Sequence, residues 1–303
     1  MALRGCNKCL KHVRLESNEM GDEQLVNVIE ALTENPQLES LELLETNVGR
    51  LECGALKTLL RCINTELQEL TLSNTEIDDE GVDTLTGALA NNGRLRTLNL
   101  SSNHNITGRG WQSLATLLEN PNANLENLDL VSNNVGDEGV LIFANALASN
   151  RKLKTLDLSD NGITTEGWSS FSKNLCDTSS VNNTYLSNHT LGSLGVWETN
   201  NMPPELRSLL ALNSSSDDKR QVAMKKILKH HRHFDMQPFF EWELKVLPIA
   251  INWFDRARSV DSNNVAEIDK HELEAIYQFI HAMPEVFEPT PAAARGKRKK
   301  IGC

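Results

Sequence analysis

Apolar residues in the first two thirds of the chain recur in one frame, L-x-x-L-x-L-x-x-N-x-L. Leu67, Leu70 and Leu72 are followed by Thr75 and Ile77. Leu125, Leu128 and Leu130 are followed by Asn133 and Val135, and Leu153, Leu156 and Leu158 by Asn161 and Ile163. The frame also fits Leu38, Leu41, Leu43, Thr46 and Val48. It fits Leu95, Leu98, Leu100 and Asn103, with one extra residue before Ile106. It extends outward to Leu10, Val13, Leu15, Asn18 and Met20, and decays at the far end to Val181, Thr184, Leu186, His189 and Leu191. The seven starts lie 28, 29, 28, 30, 28 and 28 residues apart. L-x-x-L-x-L gives a short strand whose alternate side chains turn inward. The Asn or Thr stands where the chain leaves the strand, and its side chain can pair with backbone groups of the turn.

The second half of each unit predicts a helix. Val82, Leu85 and Leu89 fall on one face, as do Trp111, Leu114 and Leu118; Val140, Phe143 and Leu147; and Trp168, Phe171 and Leu175. Acids such as Asp137 and Glu138 precede these helices, where a helix N-terminus favours them. One unit cannot bury its apolar side alone; stacked units share a continuous core.

The frame resembles that of the leucine-rich-repeat proteins of the ribonuclease-inhibitor class, with their cytosolic-type repeat. The resemblance covers residues 10–200, about seven repeats. It implies an α/β fold: a right-handed solenoid, or horseshoe, with a concave parallel β-sheet and convex helices. Residues 1–9 form a short lead. Residues 201–288 are expected to form a C-terminal α-helical cap or module, with helices near 205–212, 217–231, 238–258 and 267–283. Solenoid ends need covering, which is the work of a cap. Residues 289–303 form a basic, disordered tail. The strand near Leu10 leaves one sheet edge open, so that end belongs to a longer array or pairs with something.

Charge is unevenly distributed. The net value is −11, so nucleic acid and anionic membrane are not expected partners. The stretch from Lys219 to His233 and the tail from Pro289 carry only basic charges. In this repeat class the residues between the leucines face the concavity. Units two to six place six acids there and no base: Glu42, Glu45, Glu69, Asp129, Asp157 and Asp160. Tyr185 would be an aromatic anchor in the seventh unit. The expected function is a protein–protein interaction scaffold whose acidic face takes a basic partner. The competing reading is a solvated sheet face on an acidic protein.

Catalytic chemistry finds little support. No Gly-rich phosphate loop, nucleophile elbow or H-E-x-x-H is present, so no enzyme and no cofactor are expected. Cys6 and Cys9 have zinc-like spacing without a second pair, and His230, His231 and His233 sit on a basic stretch without carboxylates, so no metal is expected. The scattered cysteines suit a reducing, cytoplasmic setting, and Arg295–Lys300 is compatible with nuclear import. No stretch approaches the ~20 apolar residues needed to span a bilayer. Two alternatives share the repeat type: a GTPase-activating regulator similar to the Ran GTPase-activating proteins, and a repeat fragment of a nucleotide-binding immune-type sensor. Partner identity and oligomeric state are not written in the sequence.

Overall fold

The computed structural model describes residues 9–16, 21–62, 65–195 and 201–231. The chain divides into two compact units, 1–223 and 224–303, and the repeats occupy the first. Strands and helices alternate there. The strands are β1 (His12–Glu16), β2 (Ser40–Leu44), β3 (Glu69–Ser73), β4 (Thr97–Asn99), β5 (Asn127–Asp129) and β6 (Thr155–Asp157). Between and after them run α1 (Asp22–Leu32), α2 (Arg50–Arg61), α3 (Asp79–Leu89), α4 (Gly108–Glu119), α5 (Gly136–Leu147) and α6 (Thr165–Leu175). The strands form one parallel sheet in sequence order. Their register follows the frame: Leu41, Leu70, Leu98, Leu128 and Leu156 lie side by side. This is the solenoid expected from the repeat.

The core lies between sheet and helices. All frame leucines of units two to six are buried, together with the helix residues predicted to face them. Neighbouring units interlock; the rings of Trp111 and Phe143 pack with centroids 6.1 Å apart.

Polar side chains stitch the buried turns. Asn103 Oδ1 accepts from the backbone N–H of Thr75 (3.0 Å) and Ile77 (3.2 Å) in the preceding unit. Asn133 Oδ1 accepts from Asn103 N–H at 2.7 Å, and Asn161 Oδ1 from Asn133 N–H at 2.8 Å. Their Nδ2 groups donate to Leu72, Leu100 and Leu130 carbonyls. In units three to five the buried turn amides are thus satisfied by the asparagine of the next unit.

The acids before the helices act across units as well. Asp79 accepts from Thr107 N–H (2.8 Å), Thr107 Oγ1 (2.6 Å) and Gly110 N–H (3.0 Å), so it caps α4 rather than its own helix. Asp137 does the same for α6 through Thr164. Gly110 and Gly167 are required by this contact: a Cβ at either would collide with the capping carboxylate.

The seventh unit departs from expectation. Val181, Thr184 and Leu186 form no strand; α7 (Val181–Leu186) is a short helix capped by Ser180. The strand position falls ten residues later, at Leu191, Ser193 and Leu194. There Ser193 bridges Thr155 in parallel, and Leu191 and Leu194 are buried. A ten-residue insertion displaced the frame. The next helix, α8 (Pro204–Ser214), was expected to begin the cap. It packs against α6, and Leu206, Leu209 and Leu210 join the solenoid core. α8 is therefore the convex helix of the seventh unit. The last described helix, α9 (Lys219–His230), buries Val222, Met224, Ile227 and Leu228. The helices expected near 238–258 and 267–283, the basic tail and Cys6 lie outside the described residues.

Candidate protein-binding face

The sheet presents four rows of outward side chains. Strand geometry fixes two of them, because residues alternate across the pleat. One row runs His12, Ser40, Glu69, Thr97, Asn127 and Thr155. The next runs Arg14, Glu42, Thr71, Asn99, Asp129 and Asp157. Next follow Leu44 and Ser73, the last residues of β2 and β3, with Ser101, Val131 and Ser159 just past the ends of the shorter strands. Last come Glu45, Asn74, Ser102, Ser132 and Asp160, which all take the left-handed conformation (φ 51 to 59°). That conformation turns the chain out of the strand.

Six of the seven expected site residues lie on this surface: Glu42, Glu45, Glu69, Asp129, Asp157 and Asp160. Tyr185 does not. It sits on α7, off the sheet, where its carbonyl meets His189 Nε2 at 2.9 Å. Instead Ser193 stands beside Thr155 at the end of the first strand row, and a Cβ on Gly195 would strike Asp157 and Ser159.

The acids are not equivalent. Glu69, Glu45 and Asp160 are exposed. Glu42 is paired with Arg14 of the first strand (3.1 Å). Asp129 and Asp157 each use Oδ1 to accept from the backbone N–H two residues on, Val131 and Ser159, both at 3.0 Å. Asn99 does the same for Ser101 at 2.8 Å. Part of the acidity in this row is therefore turn geometry that an amide supplies equally well. Asp129 also accepts from Asn99 Nδ2 (3.0 Å). Its carboxyl is raised above the ordinary carboxylate range, by burial first, with the charge of Asp157 adding and the Val131 hydrogen bond opposing.

One charged row is absent from the sequence-based map. At the strand starts, Lys11 pairs with Glu39 (2.7 Å), and Glu126 lies between Arg96 and Lys154. Lys154, above all, holds the Glu126 carboxyl below its usual range. With Lys11, Arg96 and Lys154 against Glu39 and Glu126, this rim adds no negative charge to the sheet face beside it. Among the described residues no group of His, Cys, Asp and Glu could hold a metal ion, and no helix is long and apolar enough to cross a membrane.

The family model described as Leucine Rich repeat matches residues 6–23, 64–85, 94–115, 122–144 and 149–172. This chain is a leucine-rich-repeat protein. Its relatives support the ribonuclease-inhibitor-like form of the repeat. Ribonuclease inhibitor of Sus scrofa is 34% identical over 139 residues, 46% of this chain and 30% of the relative. NACHT, LRR and PYD domains-containing protein 14 of Mus musculus is 36% identical over 124 residues, 40% of this chain and 12% of the relative. Protein 13 of that series in Homo sapiens is 34% identical over 142 residues, 46% of this chain and 13% of the relative. The chain spans 12 to 30% of the length of these relatives. A leucine-rich-repeat array is a protein-interaction scaffold.

A signal for the seventh unit was available in the sequence. Asn92, Asn150 and Asn188 each stand three residues before a strand leucine. Each accepts from the N–H groups two and three residues on, and donates to a carbonyl of the preceding unit. Asn188 thus marks Leu191 as the true start, and Asn213 closes the unit by donating to Leu191 O at 2.7 Å.

Proposed function

We propose that this leucine-rich-repeat chain binds a partner protein through the outer face of its sheet, and that the contacting surface of the partner is basic. One observation carries the reading. Across β2 to β6 the face holds Glu42, Glu45, Glu69, Asp129, Asp157 and Asp160 and no Lys or Arg; Arg14 on β1 stands at its margin. Same-sign groups on neighbouring strands repel, and a cationic surface relieves that repulsion while its approach is steered by the field. Between the acids, Thr71, Ser73, Thr97 and Ser101 offer short hydroxyl groups for adaptable hydrogen bonding.

The test avoids the acids that hold turns. Glu69→Lys with Asp160→Asn changes charge at exposed positions; Asn keeps an oxygen to accept from Ser132 Oγ, which bonds Asp160 at 2.8 Å, and tolerates the left-handed turn at residue 160. Affinity capture from native lysate, wild type against this variant, is read by quantitative mass spectrometry. The expected result is a basic protein retained by wild type and reduced about tenfold by the variant, with binding weakened by salt. Equal recovery of the same partners by both proteins refutes the acidic-face reading.

A second reading draws on the printed names of the NACHT, LRR and PYD domains-containing relatives. There the leucine-rich repeat is one domain among others, and this array would be the repeat part of such a protein. A GTPase-activating role is separated from both by adding the chain to a Ran-type GTPase, where a scaffold gives no acceleration of hydrolysis.

A further inference from the structure

The residues flanking the first leucine of each unit line the strand-start rim, and their charge changes sign along the array. Units two and three place Gln37, Glu39, Glu66 and Gln68 there, two acids and no cation. Units four to six place Arg94, Arg96, Asn124, Glu126, Lys152 and Lys154, four cations and one acid. That acid is already engaged, since Glu126 lies between Arg96 and Lys154. The other cations have neutral company. Lys152 Nζ donates to Asn124 Oδ1 at 2.9 Å. Arg151, in the loop just before, donates to the carbonyls of Ala148 and Asn150 (both 2.9 Å) and of Leu186 (2.7 Å). Arg94 is exposed and in no ion pair among the described residues. These bonds position cations without neutralising them. Adjacent strands lie about 4.8 Å apart, so the backbones at Arg94 and Lys152 stand about 10 Å apart. The Arg151 bond also ties a second feature to this corner. α7 ends at Leu186, whose side chain is 56% exposed, one of three large apolar side chains so exposed among the described residues.

We infer that this corner takes an acidic segment of a protein partner, laid across the strand starts of units four to six, with an apolar residue at its seventh-unit end. Charge complementarity selects the carboxylates: Arg94 and Arg96 offer guanidinium forks, Lys152 and Lys154 ammonium groups. An extended chain advances about 3.3 Å per residue, so acids three residues apart match the spacing of the two cation pairs. Leu186 supplies the apolar contact, and covering it removes hydrophobic surface from water. The inference does not rest on the acidic-face reading, because the corner lies outside the outward rows and takes the opposite charge. A phosphate polymer fits it less well. Asp157 follows Lys154 by three residues, about 10 Å along the strand, which is close to the screening length of roughly 8–10 Å. The whole chain carries −11. A short acidic segment can end before those acids; a continuous phosphate backbone runs on into their field.

The test uses the full chain and a labelled synthetic peptide of six glutamates followed by two leucines, read by fluorescence anisotropy at low salt. Wild type should bind it, and added salt should weaken the binding. Arg94→Ser with Lys152→Ser removes two exposed cations that hold no carboxylate, so the fold is spared, which circular dichroism checks. This variant should bind about tenfold more weakly. Leu186→Ser should cost about fivefold with this peptide and nothing with a peptide of six glutamates alone. The Glu69→Lys, Asp160→Asn protein should bind at least as well as wild type, so failure of the acidic-face reading and failure of this one are told apart. No binding by wild type, equal binding by the folded Arg94→Ser, Lys152→Ser protein, or a Leu186→Ser protein indistinguishable from wild type would overturn the inference. So would tighter binding of a twelve-nucleotide oligothymidylate than of the peptide, which would assign the corner to nucleic acid.

Discussion

Replacing Asn133 by Ala removes the middle rung of the buried asparagine series. Asn133 is fully buried. Its Oδ1 is the acceptor for Asn103 N–H at 2.7 Å, and its Nδ2 donates to Leu100 O at 2.9 Å and Val131 O at 3.3 Å. Truncation leaves the Asn103 N–H buried without a partner, which costs about 1–3 kcal/mol. Leu100 O keeps its bond from Asn103 Nδ2 at 2.9 Å, so the loss there is an ordinary ~0.5–1.5 kcal/mol. The sum is roughly 2–4 kcal/mol, toward the lower end if a water occupies the vacated space. Urea unfolding followed by circular dichroism measures it, with Asn122→Ala, at an exposed loop position, as a control expected within about 0.5 kcal/mol of wild type. Asn133→Asp sharpens the test. It keeps the acceptor but sets a second oxygen against Leu100 O, which lifts the folded pKa of the new carboxyl above its unfolded value. Neutral in both states at low pH, it costs little there; its penalty grows as pH rises between the two pKa values. An Asn133→Ala loss below about 0.5 kcal/mol would refute the reasoning that the series carries the turns.

Three further outcomes are expected. Asp137→Ala uncaps α6 from the neighbouring unit and should cost about 1 kcal/mol in the same unfolding assay, while Gly167→Ala should destabilise by colliding with that carboxylate; a neutral result for both removes the trans-capping account. Asp129 should titrate by NMR above 3.8. Asp157→Asn should lower its midpoint only in part, because burial is the leading cause. Since the folded pKa is the raised one, Asp129 opposes folding increasingly as pH climbs from its unfolded to its folded pKa, and the effect is absent below both. Cys53, whose thiol is pushed up to about 12 by burial and then by Asp78, Glu52 and Glu80, should resist a thiol reagent in the folded chain while exposed Cys9 reacts; rapid labelling of Cys53 would contradict its buried placement.

Units two to six were legible because each carries three leucines at fixed offsets, and that pattern dictates both strand and inward face. The outward rows followed by simple alternation. The seventh unit was missed for a physical reason. Counting 28 residues onward lands on Val181, and Thr184 and Leu186 imitate the frame closely enough to continue it. The insertion that carries α7 leaves no trace in such counting. Asn188 does, because an asparagine that must satisfy a buried strand start cannot drift from its leucine. What the sequence could not convey was pairing. That Glu42 shares Arg14 and that Glu126 is flanked by two cations depend on neighbours 28 or 30 residues away, and that Asp129 and Asp157 spend one oxygen on the N–H two residues on depends on how the chain leaves the strand.

The left-handed residues Glu45, Asn74, Ser102, Ser132 and Asp160 restrict the vocabulary of the outer sheet face. Val, Ile and Thr are strongly disfavoured in that conformation, so this row can be rewritten by mutation only among small or flexible polar residues. A lineage that changes its partner must draw apolar contacts from the strand rows. The outermost row is left as a margin of polar and acidic groups, able to adjust charge and hydrogen bonding but closed to branched hydrophobic anchors.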